Sequence, residues 1–492
     1  MPRVASSPLL PLALDPRKPE PLYGQLYTWL QGAIVSGQLS PGQRLPSTRG
    51  LAAELGISRI PVLQAFDQLK AEGYLKAAVG SGTRVSSSIP PDSVEKSARR
   101  AAPARPTGAR RIAVRAAAAR NPTREPWLGI TGAFRPHVPA FDHFPIEIWS
   151  RLVARRARER TCELMAYGNW KGYAPFCAAL AQYLRAVRGV RCEAQQIMVV
   201  SGSQQALFLC ARVLANPGDP VWVEEPGYPG AHEAFEAAGS RMIPVPVDAQ
   251  GLDVQEGIRR SRHARVVYVT PSHQYPLGAT LSAARRMQLL RWASRAGAWI
   301  IEDDYDSEYR QGIRPIAALQ GLDSDSRTLY VGTFSKALFP ALRVGYVVIP
   351  PDLIDAFSAA RDVMDVFPPT LYQAVLADFI EQGHLARHIR RMQMLYEERC
   401  NVLVDALGTE LGSVLEIANG KAGMHLVALL PRGLRDTVVS SKAAALGVSA
   451  MPMSRCCLEP AVRGGLVLGY GALDKVQIQL GVHKLRQCIA AD

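Results

Sequence analysis

Long apolar runs and paired cysteines are the features that the sequence lacks. No run of about 18 apolar residues is present that could span a bilayer. The eight cysteines include no Cys-x-x-Cys pair with a matching second half, so zinc-site spacing is missing and we expect reduced thiols. Residues 1–14 hold one arginine and a short apolar stretch broken by proline, which makes a poor signal peptide. We therefore expect a cytoplasmic protein with no metal and no membrane partner.

Acidic residues are too few to balance the basic ones, and the imbalance is concentrated near the N-terminus. The 492-residue chain has a formal net charge of +14, to which residues 1–85 contribute +4 and residues 86–126 contribute +6. Clustered basic charge favours an anionic partner such as nucleic acid, because binding releases counterions. The alternative is that arginine is simply frequent in a linker, and charge alone does not decide between the two.

Composition and apolar periodicity divide the chain into three zones. Residues 20–86 show short helical patterns that end in a glycine-rich hairpin. Residues 87–126 are rich in Ser, Ala, Arg and Pro, a composition that cannot fold alone and indicates a flexible basic linker. In residues 127–492, helical stretches alternate with short apolar runs, which predicts an α/β domain with a mostly parallel sheet. These runs are Ile197–Val200, Val221–Val223, Val266–Val269, Trp299–Ile301, Leu329–Val331 and Val344–Val348.

Residues 20–86 have the pattern of a winged helix-turn-helix. We expect one helix to begin at Ser47, a good N-cap residue, and to end at Gly56. A second helix beginning at Ser58 can enter the major groove, and a glycine turn after Tyr74 predicts a β-wing. The side chains expected to face bases or phosphates are Ser58, Arg59, Gln64 and, on the wing, Arg84. The alternative is that this segment serves only as an interaction module.

The same segment resembles the winged-helix head of the GntR family. The matching text is Pro21-Leu-Tyr, Gly37–Arg49, Leu55-Gly-Ile-Ser-Arg59, Ala71-Glu-Gly-Tyr and Gly80-Ser-Gly-Thr83. The resemblance implies a double-stranded DNA operator as partner. The residues that it implies in DNA contact are Arg44, Ser47, Arg49, Ser58, Arg59, Gly82 and Thr83. The family usually has threonine where this chain has Pro61, so one phosphate contact is expected to be lost.

Residues 197–206 predict a strand that passes through a small-residue turn into a helix. Backbone N–H groups at such a helix start bind phosphate, and Ser203 adds a hydroxyl. Asp303 ends a buried apolar run, where a carboxylate can pair with a protonated ring nitrogen, and Tyr305 can bond an oxygen on the same ring. The alternative for Asp303 is a strand-end acidic cluster turned to solvent.

Two further candidates for a chemical role follow in the sequence. They are Lys336, at the end of Gly332-Thr-Phe-Ser-Lys336, and Arg343. A partly desolvated lysine at a strand end forms a Schiff base with an aldehyde when its amine is neutral. Arg343 offers a forked partner for a phosphate dianion. A phosphate turn, a ring carboxylate, a Schiff-base lysine and a phosphate arginine on one α/β frame are the parts that pyridoxal 5′-phosphate (PLP) requires.

Residues 127–492 look like a class I aminotransferase of PLP fold type I, with a smaller C-terminal α+β subdomain, and the whole chain looks like a MocR-type regulator. The matching text is Tyr167–Gly172, Ser201–Leu207, Glu225–Tyr228, Thr270–Pro276, Ile301–Tyr305 and Gly332–Lys336 with Arg343-Val-Gly-Tyr. The resemblance implies that Lys336 is the internal aldimine, that Asp303 pairs with the pyridine nitrogen and that Tyr305 bonds the ring oxygen. It further implies that Tyr228 stacks on the ring, although this tyrosine could be an ordinary turn aromatic. The remaining contacts that it implies are phosphate binding by Ser203, Gln204, Thr333 and Arg343, with Tyr167 reaching in from the partner subunit.

Three departures from aminotransferases concern the ligand. Gln274-Tyr-Pro-Leu-Gly278 replaces the usual Asn-Pro-Thr-Gly, so the asparagine contact to the ring oxygen is missing. Leu466–Tyr470 lacks the arginine that binds the substrate carboxylate; Arg455 is a candidate substitute, or a plain surface arginine. Regulators of this type that bind γ-aminobutyrate as effector carry an arginine where this chain has Gly230. The absence of that arginine disfavours γ-aminobutyrate as the effector here.

The leading hypothesis is a regulator in which an amino acid, an amine or PLP itself is sensed at Lys336. Exchange from internal to external aldimine would then change the arrangement of the DNA-binding heads. The family implies a homodimer, head to tail. The alternatives are a working aminotransferase whose head only tethers it, and an apo scaffold that binds DNA constitutively. Residual half-transamination at Lys336 is compatible with the first hypothesis.

Overall fold

The computed structural model describes residues 14–78, 82–88, 132–159, 162–310, 316–418 and 422–489. The chain divides into two compact units, Met1–Ala117 and Ala118–Asp492. The linker expected at residues 87–126 lies outside the described ranges apart from Ser87 and Ser88. Residues 79–81 at the expected turn of the wing and residues 127–131 also lie outside them.

The N-terminal unit is a winged helix-turn-helix, as predicted. Its elements are α1 (Leu22–Val35), α2 (Thr48–Glu54), α3 (Arg59–Ala71), β1 (Leu75–Ala78) and β2 (Gly82–Val85). The hydroxyl of Ser47 accepts from the backbone N–H of Gly50 and so caps α2, a contact that stabilises a helix by about 1 kcal/mol. Gly56 takes a φ of 64° in the turn before α3, in the left-handed region that glycine favours. The two strands pair antiparallel as the wing.

Apolar side chains at helical spacing form the core of this head. Leu26 and Leu30 on α1 pack with Leu51 on α2 and with Val62 and Phe66 on α3, and all five are buried. The apolar face of α3 is therefore turned inward, which leaves its polar face, including its N-terminal turn, open to solvent. This arrangement presents the second helix of the motif for groove binding.

The C-terminal unit alternates helices with strands along most of its length. Its helices are α4 (Ile146–Arg158), α5 (Cys162–Met165), α6 (Ala174–Arg188), α7 (Ser203–Leu214), α8 (Pro229–Ala237), α9 (Val254–Ser261), α10 (Ala283–Ala296), α11 (Leu319–Leu322), α12 (Phe334–Ala337), α13 (Ile354–Met364), α14 (Leu371–Glu381), α15 (His384–Leu411), α16 (Asp436–Ala445) and α17 (Lys475–Ile489). Its strands are β3 (Ile197–Val200), β4 (Pro220–Glu225), β5 (Arg241–Asp248), β6 (Gly251–Leu252), β7 (Val266–Val269), β8 (Trp299–Asp304), β9 (Thr328–Thr333), β10 (Gly345–Val348), β11 (Glu416–Ala418), β12 (His425–Leu429), β13 (Met451–Pro452) and β14 (Gly465–Gly469).

Eight strands form the central sheet in the order β3-β10-β9-β8-β7-β4-β5-β6. The neighbours from β9 to β5 pair in parallel, whereas β10 runs antiparallel to both β3 and β9. Strands β3, β7 and β10 are buried along their whole length, as expected for a sheet covered by helices on both faces. The sequence therefore predicted the fold class and each of the six apolar runs correctly.

A smaller subdomain follows the sheet, also as predicted. Four antiparallel strands in the order β11-β12-β14-β13 make up its sheet. Helices α15 and α17 pack on each other beside it, and both contribute to the large core cluster of the unit. Among the described residues, no helix is both long and apolar enough to cross a membrane.

Candidate functional site

The carboxyl ends of the parallel strands bring the predicted side chains together around one cavity. Parallel strands end at the same edge of a sheet, so residues that directly follow them in the sequence become neighbours. The predicted residues that line this cavity are Ser203, Gln204, Tyr228, Asp303, Tyr305, Thr333, Lys336 and Arg343. Other residues that line it, and that sequence reasoning missed, include His137, Tyr268 and Tyr275.

An anion cradle lies at the start of α7. Gly202 precedes this twelve-residue helix with a φ of 91° and caps it with no side chain, so no side-chain cap takes up the helix's first N–H groups. The guanidinium of Arg343 donates to the carbonyl of Ser201. A Cβ on Gly202 would lie 3.0 Å from Nη2 of Arg343, so glycine lets the arginine approach the helix start. Positive charge from the helix dipole and from Arg343 therefore converges at one point.

Asp303 is a buried carboxylate at the end of β8. Its Oδ2 accepts a hydrogen bond from the hydroxyl of Tyr268 at 2.9 Å. Its Oδ1 has no hydrogen-bond partner among the described residues. Burial raises the pKa of Asp303 to about 7, an effect that the bond from Tyr268 partly opposes. An unpartnered carboxylate oxygen on a cavity wall is suited to a ligand that carries a protonated nitrogen.

The neighbouring Asp304 serves the fold instead. Successive residues of a strand point to opposite faces, and Asp304 turns away from the cavity. Its Oδ2 lies 2.6 Å from Nη2 of Arg188, and both side chains are buried. The hydroxyl of Tyr330 donates to the same oxygen. Asp304 is therefore paired with Arg188 inside the protein, whereas Asp303 lies on the cavity wall, where a ligand can reach it.

Lys336 lies on α12, directly after β9, on the cavity wall. Its Nζ donates to the backbone carbonyl of His137 at 3.4 Å. Burial lowers the pKa of Lys336 to about 8, against the opposing effects of Asp306 and Asp303. The amine is thus closer to its neutral, nucleophilic form than an exposed lysine would be.

Aromatic side chains form the remaining walls. Tyr228, the residue before α8, is half-buried in the cavity wall, with its ring centroid 5.6 Å from that of Tyr275. The hydroxyl of Tyr305 lies 3.1 Å from Nδ1 of His273, and the same nitrogen lies 2.8 Å from Oδ1 of Asp306. Tyr305 is thereby tied to a buried histidine–carboxylate pair that no local sequence pattern indicated.

Gln274 stands where class I aminotransferases have the asparagine that contacts the ring oxygen, and its side chain makes other contacts. The side-chain amide of Gln274 donates to the backbone carbonyls of Pro226 and Tyr275, so it is used within its own loop. Tyr275 lines the cavity, and its hydroxyl lies 3.0 Å from Nε2 of His137. Burial lowers the pKa of His137 well below its usual value, so this imidazole is neutral at neutral pH.

Two predicted residues do not line this cavity. The side chain of Tyr167 is 89% exposed and contacts the ring of Phe367 on the surface of its own subunit. Arg455 is half-buried in a 3-10 helix, Met453–Cys456. The carboxylate role of Arg455 and the partner-subunit role of Tyr167 stay predictions.

On the head, the residues predicted to contact DNA lie on the open surface. Arg44, Ser47, Arg49, Ser58, Arg59, Gln64, Gly82, Thr83 and Arg84 are all exposed or half-exposed. The Nε of Arg59 donates to the hydroxyl of Thr48 at 3.2 Å, which joins the start of α3 to the start of α2. The guanidinium of Arg84 donates to the carbonyl of Gly42 at 2.9 Å and so anchors the wing to the loop before α2.

Two protein families match the two units. Residues 22–85 match the bacterial regulatory proteins of the gntR family, and residues 142–461 match the aminotransferases of class I and II. The chain is 41% identical to the probable rhizopine catabolism regulatory protein MocR of Rhizobium meliloti, over 98% of this chain and 96% of that protein. It is 32% identical to the pyridoxine biosynthesis transcriptional regulator PdxR of Corynebacterium glutamicum, over 95% of each.

Solved aminotransferases share the fold of the larger unit. The multiple substrate aminotransferase of Thermococcus profundus superimposes with a TM-score of 0.71 at 29% identity, over 77% of this chain and 97% of that one. The α-aminoadipate aminotransferase LysN of Thermus thermophilus, solved with N-(5′-phosphopyridoxyl)-L-leucine, gives a TM-score of 0.71 at 28% identity over the same shares.

Proposed function

The chain belongs to the GntR-family transcriptional regulators of the MocR type, a DNA-binding head joined to an aminotransferase-like unit, and we propose that it binds PLP at Lys336 and senses a small amino compound there. The observation that carries the proposal is the buried Oδ1 of Asp303, which has no partner among the described residues and lies on the same cavity wall as Lys336. Placing a charged carboxylate there costs free energy unless a cation arrives with the ligand.

The residues present fit this cofactor. PLP supplies an aldehyde that condenses reversibly with primary amines, on a ring whose nitrogen is protonated when an acid partner holds it so. The helix start at Ser203 and the guanidinium of Arg343 would bind its phosphate. Asp303 would hold a proton on the ring nitrogen, and Tyr305 would donate to the ring oxygen, oriented by His273.

The sensing step needs an amine to compete with Lys336. Because its pKa is lowered to about 8, Nζ would be partly neutral near neutral pH. In that form it could accept a proton from the amine of a ligand that replaces it on the cofactor. We infer that this exchange alters how the heads engage operator DNA, with the two zones joined through residues 87–126. We further propose that the protein acts in the cytoplasm as a head-to-tail homodimer in which Tyr167, so exposed in a single subunit, reaches the partner's cavity.

The test is reconstitution with PLP, followed by absorption spectroscopy, borohydride reduction and peptide mass spectrometry. We expect a visible band and one cofactor attached at Lys336. Lys336→Ala should abolish both, whereas Lys475→Ala, which changes an exposed lysine on α17, should change neither. An unmodified Lys336 and a spectrum without a new band would contradict the proposal.

A working aminotransferase is the second candidate, because the same residues would serve transamination and because the fold is shared with solved aminotransferases. The two functions differ in turnover. Steady consumption of an amino acid with a 2-oxo acid, at a kcat of about 1–1000 per second, would favour the enzyme. A ligand-dependent change in DNA binding without such turnover would favour the regulator.

A further inference from the structure

An open groove continues from the cofactor cavity toward the surface. It has a volume of about 850 Å³ and shares His137, Lys336 and Pro340 with the cavity, so the two spaces join at the reactive amine. Its walls are mostly apolar and aromatic. They are formed by Val138, Phe141, Phe144, Ile146, Trp149, Phe339 and Met451. A ligand whose amine lies at Lys336 would therefore place its body among these side chains.

Cations are few along this path. Among the described residues that line the cavity or the groove, the lysines and arginines are Lys336, Arg343 and Arg135. Arg343 belongs to the anion cradle, where it donates to the backbone carbonyl of Ser201. Lys336 is the amine that the ligand displaces. Arg135 is the third cation, and it lies on the groove wall.

The backbone around Arg135 is held rigidly against strand β14. The N–H of Gly469 donates to the carbonyl of Phe134 at 2.8 Å, and a Cβ on Gly469 would lie 2.2 Å from the carbonyl oxygen of Arg135. Phe134 is fully buried, with a φ of 64°. Because this backbone is already ordered by the fold, binding a ligand through Arg135 costs less backbone entropy than it would on a free loop.

Strand β14 supplies no cation of its own. Val467, at its centre, is fully buried in an apolar cluster with Tyr275, Met451 and Met453. The segment that carries Arg135 lies directly against this strand. The positive charge available to a ligand in this part of the site thus comes from the segment packed on the strand and not from the strand.

From this geometry we propose that the effector is an amino acid with an apolar side chain, whose carboxylate is bound by Arg135 and whose side chain lies in the aromatic groove. The inference rests on the proposed binding of PLP at Lys336. A guanidinium binds a carboxylate through two parallel hydrogen bonds, which a simple amine cannot provide. Arg135 also contributes to lowering the pKa of Lys336, so the two groups are close enough to interact electrostatically.

The test compares amino acids with the amines that lack only the carboxylate. Full-length, PLP-loaded protein is titrated with phenylalanine and phenethylamine, and with leucine and 3-methylbutylamine, and the change in cofactor absorption gives each affinity. We expect the wild type to bind the amino acid of at least one pair about tenfold or more tightly than its amine, the size of effect typical of a charged hydrogen-bonded contact. Arg135→Gln should reduce that preference to near one, and Arg135→Lys should retain part of it.

Controls separate the possible failures. Arg432→Gln, which changes an exposed arginine outside both spaces, should leave the preference intact. If the wild type shows no cofactor band, the proposed function itself fails. If the band is present but no amino acid alters it, or if Arg135→Gln keeps the preference, the inference is overturned. Loss of the preference in Arg455→Gln instead would assign the carboxylate to Arg455. The cofactor band of each variant also reports that its unit is folded.

Discussion

The hydroxyl of Tyr268 donates to one oxygen of Asp303 at 2.9 Å, and the other oxygen has no partner among the described residues. Strands β7 and β8 set this relationship, because Tyr268 pairs with Ile301 and Asp303 follows two residues later on the same face. The fold therefore fixes one oxygen of the carboxylate, and the other oxygen would be the one to accept from a protonated ring nitrogen.

Asp303→Asn should weaken PLP binding by about tenfold or more, because a neutral amide cannot stabilise a protonated ring nitrogen. Absorption titration of the purified variant measures the affinity. Asp325→Asn, which changes an exposed aspartate, is the matched control and should bind as the wild type does. Equal affinities for Asp303→Asn and the wild type would remove Asp303 from the proposed site.

The same substitution should stabilise the protein without cofactor at high pH. Burial raises the pKa of Asp303 from its ordinary 3.8 to about 7. Between these values the folded state binds more protons than the unfolded state, so the free energy of unfolding falls as pH rises from about 4 to about 7. Asp303→Asn removes this loss, which is on the order of a few kcal/mol. Urea unfolding should show the variant to be more stable than the wild type at pH 8, with the pH-dependent part of the gain absent near pH 4. If the stability difference between the variant and the wild type instead grew toward low pH, the pKa of Asp303 would be lowered by folding and the prediction would be wrong.

The rate of PLP incorporation should rise with pH to a midpoint near 8 and then level off. The neutral amine is the form that reacts, and burial sets the pKa of Lys336 at about 8. Asp306 and Asp303 both raise this pKa, whereas Arg343 and Arg135 lower it. Asp306→Asn removes a negative charge and should shift the midpoint to lower pH. Stopped-flow absorption at a series of pH values measures it, with Asp325→Asn as the control. A midpoint that moves upward would show that Asp306 does not act on Lys336 in this way.

The residues that could be predicted from the sequence are those that lie at or just after the end of a strand, because that position determines their neighbours. Asp303 lies at the end of β8 and Lys336 follows β9, and the parallel pairing of these two strands brings both positions to one edge of the sheet. Ser203 follows β3, which runs in the same direction because β10 lies antiparallel between β3 and β9. The motif therefore encodes both the residue type and its location. The same logic explains why the winged helix could be predicted, since helix caps and apolar spacing are local signals.

The residues that sequence reasoning missed reach the site through tertiary packing. His137 contacts Lys336 from 199 positions away, on a segment held by Gly469 rather than by its own neighbours. Arg135 belongs to that segment and has no local pattern around it. Arg455, the candidate substitute for the missing carboxylate arginine, belongs to a 3-10 helix and is not among the residues that line the cavity.

Lys336→Ala should lose the cofactor band and the response to effector but should keep its affinity for DNA. The head has a buried core of its own, centred on Leu30 and Phe66, and contains all the residues predicted to contact DNA. Gel-shift titration with a duplex selected in vitro by the wild type measures the affinity with and without PLP and an amino acid. Loss of DNA binding in the variant would show that the two functions are not separable.

Arg59→Ala should weaken DNA binding and reduce the slope of log affinity against log salt concentration by about 1, if Arg59 neutralises one phosphate. The side chain is exposed at the start of α3, and its bond to Thr48 holds it beside the start of α2 on the open surface of the head. Fluorescence anisotropy over a range of salt concentrations measures the slope. Lys70→Ala is the control, because Lys70 lies at the other end of α3 and pairs with Asp67 at 3.1 Å. A weaker affinity with an unchanged slope, confined to certain base pairs, would instead assign Arg59 to base readout.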